Sequence, residues 1–226
     1  MSDSYHINLQ DISLDQFKQT LKQAELIPSR RILKEQIDQR FERLQAQGIS
    51  NLEDLLCAAK NAKKIADLAN NTGLSEEYLT ILRREVNALL PQPKNLRDYP
   101  GIEPAVIEKL EKRGIRNSKQ LFLAARNKQE RIQLSQAADI DPTKLLEMVK
   151  LADLSRVYGV GPIFARLLFD IGAETVESLA QADSEQLFRQ LEKKYLEAGY
   201  SKADFKERDI RFCIRMAKDL PKSIGY

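Results

Sequence analysis

The chain has 226 residues, with 36 Lys+Arg against 33 Asp+Glu for a formal net charge of +3, and it is 42% hydrophobic and 31% charged. That balance fits one large or two to three small folded domains and excludes a disordered or collagen-like polymer. Two cysteines, one histidine and no tryptophan leave little from which to build a disulfide framework or a His/Cys metal site.

Gly (9) and Pro (8) are few, alternating β-branched runs are absent, and Leu, Ala, Lys, Glu, Gln and Arg dominate. An all-α fold is predicted. Residues 1–26 read as a polar tail holding His6, then a capping helix whose Leu14, Phe17 and Leu21 share one face and whose start is marked by Ser13 with Gln16. The N-terminal MSDSYHINLQ lacks a basic segment followed by an apolar one, and no run of about 18 apolar residues follows anywhere. A cytoplasmic chain without a membrane span is expected.

Residues 27–93 form a first unit, with Ile37, Phe41 and Leu44 spaced for one buried helical face and with helix starts at Asn51 (with Asp54) and Ser75 (with Glu76 and Glu77). Cys57, in LEDLLCAAK, reads as a small core residue. The segment LLPQPKN carries two prolines and reads as the clearest linker. Residues 94–153 form a second unit with Val106 and Leu110 in its core and caps at Asn117 (with Gln120) and at Asp141, directly before Pro142. Residues 154–226 form a third, with Phe164 and Leu168 four apart, a cap at Asp183 (with Gln186), and Cys213 as a core residue. The second and third units follow one another without a visible break and are expected to share a core.

The units resemble each other. A shift of 66 residues places Gly48, Ile49, Asn51, Leu55, Ala58 and Asn61 on Gly114, Ile115, Asn117, Leu121, Ala124 and Asn127. A further shift of 58 places Gly101, Pro104, Leu110 and Gly114 on Gly159, Pro162, Leu168 and Gly172. Recurrence at such periods signals one supersecondary unit used repeatedly.

The sharpest local signal is LSRVYGVGPIFARLLFDIGAETVESL, in which a helix runs into Gly159-Val160-Gly161 and a second begins at Pro162. Two glycines permit a tight turn, proline suits the first helical position, and small Ala165 lets helices approach. The unfilled N–H groups and positive dipole end of the second helix favour an anion. The pattern GVGPxxAxxLxxxGxxTxxxL resembles the helix-hairpin-helix of X-family DNA polymerases. That resemblance implies sequence-independent gripping of one DNA strand by N–H groups near Gly161, Phe164 and Ala165, and the partner expected is a DNA or RNA backbone. It also implies a monovalent cation on the carbonyls of Ser155, Val157 and Val160. With PSRRIL and PGIEP, the chain as a whole resembles a bacterial family of tandem helix-hairpin-helix proteins classified only as a domain of unknown function. The expected fold is therefore an array of degenerate hairpin units behind an N-terminal capping helix.

Two hairpins depart from the pattern. In the second unit Glu103 replaces the second glycine and puts a carboxylate where a phosphate would dock. In the first, Lys34, Glu35, Gln36 and Ile37 stand opposite Pro100 to Glu103, so the stretch reads as helix interior. Ile163 and Phe164 make the third tip apolar.

Two readings follow. In the leading one, Gly159, Val160, Gly161, Phe164 and Ala165 supply backbone geometry and Arg156 and Arg166 supply charge for salt-dependent nucleic-acid binding without catalysis. In its rival, Ile163 and Phe164 anchor a protein partner and the repeats are a scaffold. No nucleophile–base set, metal cluster or cofactor fingerprint is legible: Gly159-Val160-Gly161 lacks the preceding strand and third glycine of a dinucleotide site. Basic residues gather between Lys109 and Arg131, read as a solvated face with an electrostatic footprint for phosphates as the alternative, and again between Lys206 and Lys218, read as ordinary surface.

Overall fold

The computed structural model describes residues 5–198 and 205–226, which are helical and contain no β-strand. They divide into two compact units, Asn8–Leu90 and residues 91–226 together with residues 5–7. The division falls inside the two-proline segment LLPQPKN.

In the Asn8–Leu90 unit, α1 (Leu14–Gln23) packs against α2 (Ile37–Gln45), burying Leu14, Phe17 and Leu21 against Ile37, Phe41 and Leu44. The Phe17 and Phe41 rings lie 6.5 Å apart. Helices α3 (Leu52–Ala58), α4 (Ala62–Thr72) and α5 (Glu76–Asn87) complete it, and their starts are set by side chains: Asn51 accepts from the Asp54 amide, Asn61 from Lys64 and Ser75 from Tyr78. Each cap satisfies a donor that the first turn cannot bond internally.

The same plan recurs in the 91–226 unit. Helices α6 (Pro104–Glu111), α7 (Ser118–Ala124), α8 (Lys128–Ala138) and α9 (Pro142–Leu154) are followed by α10 (Pro162–Asp170), α11 (Val176–Gln181), α12 (Ser184–Ala198) and α13 (Glu207–Asp219). The starts of α3, α4 and α5 lie 66 residues before those of α7, α8 and α9, and α6 and α7 begin 58 residues before α10 and α11. Backbone geometry repeats with the sequence. Gly48, Gly114 and Gly172 all take positive φ, at 79°, 80° and 91°, at the turn that ends α2, α6 and α10. Lys109 binds the carbonyl of Asp139 as Arg43 binds that of Gly73, each cation closing the left-handed end of the helix two further on.

One core runs through this larger unit, from Leu96 and Tyr99 through Leu121, Leu145 and Met148 to Leu168, Leu191 and Ile214. Residues 5–7 lie against it rather than in a tail. Tyr5 is buried, its ring edge-on to Phe122 at 5.2 Å and its hydroxyl 2.7 Å from Ser118 Oγ.

Two further expectations are corrected. The stretch around Gln36 is not helix interior, since a 3-10 turn (Pro28–Lys34) ends there and Gln36 takes a left-handed conformation, φ 47°, before α2 begins. Gln36 adopts without a glycine the kind of bend that Gly101 and Gly159 make in the other repeats. Cys57 is exposed, as is Leu123 at the matching position of α7, so this place in the repeat faces water; Cys213 is buried.

Candidate nucleic-acid interface

The hairpin begins where α9 stops at Leu154. The Val157 amide donates to the Leu154 carbonyl and the Val160 amide to the Val157 carbonyl, both at 3.0 Å, which closes the chain into a tight reversal. Gly159 carries it with φ +87°, a region costing an L side chain about 1–2 kcal/mol. A Cβ there would also sit 3.4 Å from Cys213 Sγ on α13. Val157, Val160 and Ala165 are buried and fasten the turn to the core.

Gly161 is the N-cap of α10. It has ordinary extended backbone (φ −86°, ψ 177°), no side chain caps the helix, and nothing lies within 4 Å of where its Cβ would be. Its carbonyl accepts from Ala165 at 2.8 Å, so the Ala165 amide, expected as a phosphate donor, is engaged inside the helix. Pro162 has no N–H, which leaves Ile163 and Phe164 as the first-turn amides pointing out of the helix start.

The two arginines expected to supply charge do not face solvent. Arg156 is 1% exposed. Its guanidinium ion-pairs with Asp153, donates from Nε to the Tyr5 carbonyl and from Nη2 to the Pro221 carbonyl, both at 2.9 Å, and stacks 4.5 Å from the Phe122 ring centroid. Asp153 also accepts from the Tyr226 hydroxyl at 2.8 Å, so one buried pair ties both terminal segments to the end of α9. Arg166 is 7% exposed and bonds Glu147, Asp170 and the Pro100 carbonyl. Burial works against its charge, and the two carboxylates outweigh burial, raising its pKa. Both arginines are structural, because a guanidinium taken from water needs all its donors matched by internal acceptors.

Phe164 is half-buried against Phe205, ring centroids 5.5 Å apart, and Phe205 in turn meets Phe188 and Tyr195. Of the expected protein anchors only Ile163, 43% exposed, faces outward. Among the carbonyls expected to hold a cation, that of Val157 already accepts the Val160 amide.

The second hairpin shares the bend, with Gly101 at φ +78° and Pro104 opening α6. Its N-cap is Glu103, which ion-pairs with Lys144 at 2.5 Å and raises the lysine pKa chiefly through that hydrogen bond. Helix α13, absent from the sequence picture of the site, lies directly behind the third hairpin. The Cys213 thiol approaches the Tyr158 carbonyl at 3.6 Å and is pushed up to about 12 by burial, and the Tyr158 and Phe212 rings meet edge-on at 5.2 Å. No sequence signal joins residues so far apart.

No helix among the described residues is long and apolar enough to cross a membrane, and they contain no group of three metal-ligating side chains. No curated protein and no solved structure matches the chain. A family model described as a domain of unknown function, DUF4332, matches residues 100–220, the stretch that holds both glycine hairpins and α13, and the chain belongs to that family.

Proposed function

We propose that the Gly159–Phe164 hairpin binds the phosphate backbone of nucleic acid, without sequence preference and through main-chain donors. The observation that carries this reading is the uncapped start of α10 at a glycine with open space around its Cα, where outward amides and the positive helix end coincide. A side chain at this position would stand in the way of a phosphate oxygen, as Glu103 does at the related hairpin. Burial of Arg156 and Arg166 changes the expected energetics. Counterion release scales with the number of phosphates neutralised by cations, and amides release few. Affinity is therefore modest and its salt dependence shallow, with a slope of about −1 to −2 in log K against log salt.

The protein-scaffold reading loses its aromatic anchor, since Phe164 packs on Phe205. Fluorescence anisotropy of labelled single-stranded, duplex and gapped DNA across a salt series tests the proposal, with Gly161→Glu as the control. Binding by the parent and at least ten-fold loss in the variant are expected; equal binding by both would remove the hairpin from the interface.

A further inference from the structure

Behind the hairpin, α13 carries a stripe that neither the caps nor the core accounts for. Its buried face is Ile210, Cys213, Ile214 and Ala217. Arg208, Phe212 and Arg215, at i, i+4 and i+7, lie along one flank of that helix. This is the flank that meets the hairpin, because the Phe212 ring touches that of Tyr158 and Cys213 lies under Gly159. Both rings are half-buried. The Arg215 guanidinium stands over the Phe212 face at 5.2 Å, and its Nε is shielded from solvent with no hydrogen-bond acceptor. A shielded donor with no acceptor among the described residues is open to one supplied from outside the chain. Between Lys206 and Lys222 six cations stand against three carboxylates: Arg211 pairs with Glu207 at 3.6 Å, Arg208 lies 3.9 Å from Asp209, Asp219 lies one turn beyond Arg215, and Lys222 pairs outside the stretch with Glu177 at 2.6 Å.

We infer that the hairpin site continues onto α13 as a platform for unpaired bases, so that the ligand is single-stranded nucleic acid, with Tyr158 and Phe212 offering ring faces and edges to a base and Arg215 holding the adjoining phosphate. The inference rests on the hairpin reading above. Aromatic side chains beside an arginine suit a single strand because every base has a π-face, whereas duplex DNA keeps its bases stacked on one another. The two parts are complementary: the outward amides at α10 and the Arg215 Nε on α13 have no acceptor among the described residues, and a sugar–phosphate strand is rich in acceptors.

The test uses the full chain and three fluorescent probes of equal length: oligothymidylate, oligouridylate and an abasic deoxyribose-phosphate strand. The parent should bind oligothymidylate about ten-fold more tightly than the abasic strand. Phe212→Leu and Tyr158→Leu should erase that preference while leaving abasic binding in place. Arg215→Gln, a change at a partly exposed site that spares the core, should weaken all three and reduce the single-strand salt slope by about 0.7. Oligouridylate, whose bases also offer π-faces, should likewise be bound more tightly than the abasic strand, and a parent that binds neither base-bearing probe better than the abasic strand would overturn the platform. Far-UV circular dichroism and the thermal midpoint of each variant establish that it is folded. If Gly161→Glu abolishes binding while Arg215→Gln and the ring variants bind every probe as the parent does, the platform is refuted and the hairpin reading stands. If the parent binds none of the probes at low salt, both fall.

Discussion

Arg166 Nε donates to the Pro100 carbonyl at 3.0 Å, and the guanidinium lies 3.4 Å from the point where a Cβ on Gly101 would be. An arginine from the third repeat thus closes the bend of the second. Gly101 has φ +78°, so Gly101→Ala meets both backbone strain and a filled neighbour. A loss of about 1–2 kcal/mol in unfolding free energy is expected, read from urea denaturation. The matching change at Gly161, where φ is negative and space is open, should shift stability by less than about 0.5 kcal/mol.

Removal of the buried cation at the end of α9 should be far more damaging. Arg156→Ala leaves Asp153 without its ion-pair partner in the interior and withdraws donors from the carbonyls of Tyr5 and Pro221. The expected loss is about 3–5 kcal/mol. Lysine should not rescue it, since one ammonium cannot reproduce the guanidinium fork. Chemical denaturation of both variants checks this, and a stable Arg156→Ala protein with weakened DNA binding alone would contradict the structural role.

The array of caps and glycine bends was readable because it is local. A cap needs a residue three positions away and a left-handed turn needs one glycine, so helix starts at Leu14, Leu52, Ser118 and Pro142 follow from their immediate neighbours. The recurrence of the repeats was readable for the same reason. What failed is non-local. Nothing near Arg156 in sequence shows that it lies against Tyr5 and Pro221, or that Tyr5 is packed rather than trailing. Gln36 shows another limit: a bend that the related repeats make with glycine is held by a residue whose type gives no sign of it. At the candidate site the main-chain hairpin was legible and its electrostatics were not, because burial reassigned both arginines.

Gln36→Gly should relieve the left-handed strain at φ 47°. The extra freedom of glycine in the unfolded chain offsets part of that relief, which leaves a net stabilisation of up to about 1 kcal/mol. A rise in the thermal midpoint checks it.

The thiols should differ sharply. Cys57 is exposed, while Cys213 is buried with its pKa raised to about 12, so at pH 8 it is overwhelmingly protonated and shielded. A thiol-specific chromogenic reagent should titrate one cysteine rapidly in the native protein and the second only after denaturant is added. Fast reaction of both would contradict the packing of α13 on the hairpin.

An amide chemical-shift titration of uniformly 15N-labelled protein with a short oligonucleotide at low salt reads the start of α10 residue by residue. The Ile163 and Phe164 amides, with that of Gly161, should move first and furthest, while the Glu103–Val106 region of the second hairpin stays still. Saturable shifts confined to other surfaces, with the start of α10 unmoved, would contradict binding at the hairpin.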